Sequence, residues 1–384
     1  MKITYSPQLM EESVFRHLNH LERSGLRADY DEFHSLADPI YELPEDDREL
    51  AFEKVNRQFF LENLKLGDFV ICSLEACGLI PKKRRSAKTP VAVPTNGGEE
   101  FDASDSEEEL EVVIEPGDDE AGHESVGETT DDDEVEYELS RKFEERIKDV
   151  QIKRAINKVD EGSNVLNRVS GDLPTIEMRV LASRFANTDE KRDLEAFLIH
   201  EFMHARDMVD PEFDYEDSYI PGNPSVKNLI TARFRLLWNI YVDSRLFRRA
   251  LPGVMAREAR YREFDNYYRK IPEKQRRGIF EGVWQTDKFS HEELLSMATD
   301  LETLMAKYVE YDEGFTEEDQ NYIHLPGSPC PLCKFPTYNW VDDPESICDE
   351  MVIEAIQIDF PDWESKDGAC DRCVEVYELR AGCN

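Results

Sequence analysis

Apolar residues recur at three- and four-residue spacing through the first eighty positions. Leu9, Met10, Val14, Leu18 and Leu21 form one row; Phe52, Val55, Phe59, Phe60, Leu64 and Leu66 form another. That period puts them on one helix face, so residues 1–80 are expected as a helical N-terminal region. The same spacing resumes after residue 139 with Phe143, Ile147, Val150, Ile152 and Ile156, again read as helix. Ile176, Met178 and Val180 then alternate with Glu177 and Arg179, the period-two pattern of a strand over 176–181. A helix is expected over 187–209, opened by Asn187 and Glu190 as a capping box, and another over 226–250. Further on, Met351, Ile353, Ile356, Ile358 and Trp363 suggest a short helix and a strand. The pattern predicts an α+β chain, predominantly helical, with a small sheet.

Charge divides this picture. The chain of 384 residues has 84 acidic and 46 basic side chains, a formal charge of -38. Gripping nucleic-acid backbone or an anionic membrane needs a basic surface, so neither is expected as a partner. No apolar run approaches the ~20 residues of a membrane span, and the polar start lacks the apolar core of a signal peptide. A cytoplasmic protein is therefore expected. From Glu99 to Glu138 there are 20 Asp or Glu and no Lys or Arg, a composition that favours disorder. Residues 81–138 are accordingly read as linker and acidic segment. Just upstream lies the basic block Lys82-Lys83-Arg84-Arg85, and residues 227–277 carry 14 Lys or Arg against five Asp or Glu. An intramolecular contact between 99–138 and the basic 227–277 region is one expectation; ordinary solvated helix surface is the other.

Inside the 187–209 helix, His200-Glu201-Phe202-Met203-His204 forms an H-E-x-x-H motif. Residues i and i+4 share a helix face, so the two imidazoles can converge on one Zn2+ while Glu201 leans over the open coordination position as general base. Arg206 departs from the apolar continuation usual for such helices. A third ligand is required, and Asp243 in the following helix is the first choice, with Asn239 one turn earlier as a candidate to support the ligands from behind. Asp210 is the alternative ligand. The competing reading of Asp243 is a buried carboxylate satisfied by Arg233, Arg235 or a helix terminus. Tyr219, Tyr241 or His291 is expected to supply an oxyanion donor.

On these residues the chain resembles the zincin metallopeptidases, and the Asn-x-x-x-Asp helix after Trp238 is similar to the second helix of the gluzincin type. The resemblance covers about residues 145–310. It implies a zincin-like metallopeptidase domain over 139–325, a protein or peptide substrate, and an edge strand at 176–181 along which that substrate pairs. The glutamate ligand usual in gluzincins is missing, and Asp207 stands where a metzincin has glycine.

Cys330-Pro331-Leu332-Cys333 and Cys370-Asp371-Arg372-Cys373 are two Cys-x-x-Cys pairs, the spacing of a four-thiolate structural zinc site. Residues 326–384 are therefore expected as a zinc-ribbon module; a redox dithiol is the competing reading. A zincin followed by a ribbon is similar to the SprT-like DNA-associated proteases, but the charge and the missing downstream histidine set this chain apart. The expected function is zinc-dependent hydrolysis of peptide bonds with one catalytic and one structural zinc. The alternative is a non-catalytic, zinc-stabilised adaptor for a basic protein partner.

Overall fold

The computed structural model describes residues 1–82, 131–167, 171–186, 191–216, 220, 224–268, 271–309, 324 and 327–382. Most of the acidic run, the 187/190 capping box, Tyr219 and Cys383 lie outside the described residues.

The centre of the first core is a mixed sheet in the order β1-β2-β4-β3, with β1 (Lys2–Tyr5), β2 (Asp149–Arg154), β3 (Gly162–Leu166) and β4 (Thr175–Val180). β1 runs parallel to β2, β2 parallel to β4, and β3 antiparallel to β4. Val150 and Ile152 of β2 and Ile176, Met178 and Val180 of β4 are fully buried. Between them Glu177 is also buried, its carboxylate paired with Lys153 and, at 3.0 Å, with Arg179.

Three expectations change here. Val150 and Ile152 belong to a strand, because the helix carrying Phe143 stops at Glu145 and the same apolar residues satisfy a period of two once the chain is extended. The strand at 176–181 is β4, flanked on both sides by β2 and β3, so it has no free edge; the edge next to the motif helix is β3. Residues 1–80 are not an independent helical region. β1 completes the sheet, and Leu9, Met10, Val14 and Leu18 join Ile152, Phe185 and Met203 in one continuous core.

The helices of that N-terminal stretch are α1 (Pro7–Arg23), α2 (Ala28–Ala37), α3 (Glu45–Gln58) and α4 (Gly67–Cys77). Ser6 caps α1 by accepting the Leu9 N–H, and Pro7 follows at the position where a missing N–H costs nothing. α5 (Asp131–Glu145) begins eight residues before the expected boundary at 139. Then come α6 (Lys191–Val209), α7 (Pro224–Arg248), α8 (Arg257–Tyr267), α9 (Glu273–Gln285), α10 (His291–Thr299) and α11 (Leu301–Tyr308). α6 lies between α4 and β3 and meets α7 on its other side. No helix among the described residues is long and apolar enough to cross a membrane.

A second, separate core forms from Leu332, Val352, Ile353, Ile356, Trp363, Val374 and Tyr377 with the buried cysteines. Its elements are the two-residue strands β5 (Trp340–Val341) and β6 (Ala369–Cys370), α12 (Glu350–Asp359) and α13 (Asp371–Ala381). Of the apolar row expected to extend past a short helix, Met351 and Ile358 are on α12 but face solvent. Gly368, at φ 62°, is required twice over: the backbone is left-handed, and a Cβ there would fall 2.6 Å from the His324 ring. That ring stacks on Trp340 at 4.4 Å.

Candidate functional site

α6 presents the motif because its apolar face is fixed first. Leu198, Ile199, Phe202, Met203 and Ala205 are buried, and the Cys77 thiol of α4 donates to the Ile199 carbonyl at 3.3 Å. Burial pushes that thiol up to about 12, so it stays protonated and inert. From the opposite side α7 is clamped to α6 by Asp207, whose carboxylate accepts from Trp238 Nε1 at 2.8 Å and from both terminal nitrogens of Arg245 at 2.6 and 2.7 Å. Arg206, the residue out of pattern, lays its guanidinium over the Phe143 ring at 4.8 Å.

This clamp brings three donor atoms together. His200 Nε2 lies 3.2 Å from His204 Nε2, and Asn239 Oδ1 lies 3.2 and 3.0 Å from those two nitrogens. Asp243 faces the other ring nitrogen: its Oδ1 is 3.0 Å from His200 Nδ1. A carboxylate at that distance fixes the proton on Nδ1, which donates, and leaves the Nε2 lone pair aimed into the triangle. The second Asp243 oxygen accepts from Arg260 Nε and Nη2 at 2.9 and 2.6 Å.

Asp243 therefore does not point where a ligand on the Nε2 side must stand, and Asn239, expected in the supporting role, does. One turn of α7 separates the two residues, and the side chain nearer the motif reaches the triangle while the farther one reaches behind His200. The expected arginine partners were also different: Arg233 lies over the Tyr268 ring, Arg235 lines the cleft, and Arg260 from α8 makes the pair. Asp210 sits in the turn ending α6, where its carboxylate accepts the Glu212 N–H at 3.0 Å, and no contact among the described residues joins it to the histidines.

The His204 ring stands edge-on to Trp238 at 4.4 Å, and its Nδ1 has no hydrogen-bond partner among the described residues. Burial, then the neighbouring His200, holds His204 well below the usual histidine range, so the imidazole is neutral and able to donate a lone pair. A tetrahedral ion with bonds of 2.0–2.1 Å spaces its ligand atoms about 3.3 Å apart. The triangle is close to that spacing, and two imidazoles plus an amide oxygen are donors that zinc accepts.

Glu201 lies against the edge strand. Its Oε2 accepts the Ser163 N–H at 3.0 Å, and the Ser163 hydroxyl donates to the Glu201 carbonyl at 2.8 Å. Farther along the same edge the Val165 N–H is covered by the neighbouring Asn164 side chain at 2.8 Å. Glu201, His204 and Asn239 open onto a cleft of about 830 Å³ walled by β3, α7 and the start of α10. His291 lines it; so does Tyr215, which the sequence reading missed, with its ring 4.8 Å from that of His291. Tyr241 does not line the cleft: its hydroxyl points to the Asp287 carbonyl and its ring lies beneath Arg245.

The four cysteines of the second core do come together. Cys330 and Cys373 sulfurs are 3.9 Å apart, as are those of Cys333 and Cys370, and all four lie within 4.8 Å of one another. Zn–S bonds of about 2.3 Å in a tetrahedron require about 3.8 Å between sulfurs, so this cluster could hold a metal ion such as zinc. The Cys330 sulfur also accepts the Cys370 N–H at 3.3 Å.

In the 227–277 stretch, Arg245, Arg249, Arg257, Arg260, Arg276 and Arg277 are each paired with a carboxylate of the folded chain. Much of its apparent excess charge is thus neutralised internally, and one of these pairs, Arg249 with Glu136, joins the 227–277 stretch to the described end of 99–138. No protein-family model, curated protein or solved structure matches the chain.

Proposed function

We propose that the chain is a zinc-dependent endopeptidase of the zincin type, with His200, His204 and Asn239 as metal ligands and Glu201 as general base. The observation that carries this reading is the triangle of two imidazole nitrogens and one amide oxygen, 3.0 to 3.2 Å on each side, beside a carboxylate on the wall of an open cleft. Bound zinc supplies a water of pKa lowered to ~7 and a Lewis acid for the scissile carbonyl.

The chain's own groups do the rest. Ser163 holds one Glu201 oxygen, so the carboxylate is oriented before substrate arrives and its second oxygen is available to take the proton of the attacking water and return it to the leaving amine. Asp243, anchored by Arg260, keeps the His200 proton on Nδ1. Asn239 would hold the ion through a neutral amide oxygen, so this ligand set adds no charge of its own. His291 and Tyr215 in the cleft are the available donors for the oxyanion.

The test is direct. Metal analysis is expected to find about two zinc per chain, one at each site. Glu201→Gln should retain the metal and lower cleavage of an unstructured protein such as casein by about 10²- to 10⁴-fold. Failure of the native chain to cleave, with or without residues 99–138, would favour the adaptor.

A further inference from the structure

The C-terminal module has a groove of its own, independent of the proposed catalytic cleft. About 320 Å³ in volume, it is walled by Phe360, Trp363 and the three prolines 329, 331 and 361, with Cys330 of the thiolate cluster in its lining. Its polar groups are mainly acidic: Asp359, Asp362 and Asp367, against the single cation Lys334. Lys334 is turned onto the Pro331 carbonyl at 2.5 Å. Asp359 is engaged by Tyr377 and Arg380, and Asp367 accepts the Glu364 N–H. Asp362 is exposed, with no ion pair among the described residues.

The field around the groove has the same sign. Residues 326–384 hold thirteen acidic and four basic side chains. A four-thiolate site keeps two net negative charges even after binding a divalent ion, and one of its residues, Cys330, is in the groove lining. An apolar channel with this rim accepts a long alkyl stem that ends in a cation: the stem lies along the proline and aromatic faces, and the tip meets Asp362. The volume is at the lower end for a small-ligand site, so it fits one or two side chains of an extended segment.

We infer that this groove docks a lysine- or arginine-rich segment of a partner protein. The interaction belongs to the ribbon module and does not depend on catalysis in the cleft. Charge complementarity of this kind sets partner choice and association rate.

The experiment uses the full, metal-loaded chain and a fluorescently labelled lysine/arginine-rich decapeptide, with its glutamate counterpart as control, followed by anisotropy at low and moderate salt. The basic peptide should bind and weaken with salt, and the acidic one should not bind. Asp362→Lys should weaken binding by tenfold or more. Glu354→Lys makes the same charge change on the exposed side of α12, away from the groove, and should weaken it less than threefold. Equal loss in the two variants would reduce the effect to net charge and overturn the assignment, as would equal binding of both peptides or no binding of the basic one. Self-association of the chain abolished by Asp362→Lys, or peptide binding gained only after neutralising Lys82 to Arg85, would give the groove to a second copy or to the chain's own basic block and likewise overturn it.

Discussion

Asn239 and Asp243 differ by one helical turn and by one oxygen-for-nitrogen exchange, yet the geometry gives them unlike work. A ligand supplies a bond to the ion, whereas a carboxylate behind a ligating imidazole sets its tautomer and basicity. Loss of the second kind of contact usually weakens metal affinity about 10- to 100-fold. Asp243→Asn should fall in that range, and Asn239→Ala should exceed it, with zinc competition against a chromophoric chelator as the measurement; the reverse order would return Asp243 to the ligand position. The spacing in the sequence made both residues visible, since polar groups at i and i+4 in an apolar helix have to face something. Which of them reaches the Nε2 side of the histidines was not legible, because it depends on the rotation of α7 about its axis. That rotation is set by Asp207, Trp238 and Arg245, none of which carries a recognisable signature. Ser163 and Arg260 were invisible for the same reason: they reach the site from elements 38 and 17 residues away from their partners.

At the scale of elements, the α6–α7 clamp makes a strong claim on stability. Arg245→Met leaves the Asp207 carboxylate buried with only the Trp238 indole, and breaking a buried pair from one side costs about 3–5 kcal/mol. Chemical denaturation should show a loss of that size, together with impaired metal binding as α7 shifts. A loss under about 1 kcal/mol would mean the pair is solvated, as surface ion pairs are. The helices themselves were readable from their apolar spacing: 226–250 was expected and α7 spans Pro224–Arg248. The sheet was readable only where alternation was strict. β4 announced itself through Ile176, Met178 and Val180, whereas β2 was hidden by Phe143 and Ile147, which extend a helical period into it. β3 has one buried residue in five, so an edge strand with a polar outer face gave no signal at all.

For the whole molecule, two cores imply two separable stabilities. The second is small, and its four clustered thiols could hold one ion, which would supply cohesion that its few apolar residues lack. Cys330→Ser should therefore remove one zinc and unfold residues 327–382 while leaving amide protection in the sheet and in α6 unchanged, as read by hydrogen exchange. Loss of protection in both regions would tie the two cores into one cooperative unit. The organisation of the first core could not be inferred from composition, because the acidic run separates, in the chain, helices that share one interior in space.

The parallel pairing of β1 with β2 also has a consequence in time. Lys2–Tyr5 leaves the ribosome ahead of its partner Asp149–Arg154, which follows almost 150 residues later. The strand must wait through the synthesis of five described helices and the whole acidic run before its backbone bonds can form, so this core cannot close until β2 has been made. Long-range parallel closure of this kind is slow, yet its thermodynamic cost rises only about 0.6 kcal/mol for each doubling of the intervening length. The chain can therefore carry a long charged insertion at little cost to its final stability, and the penalty falls on the rate of folding.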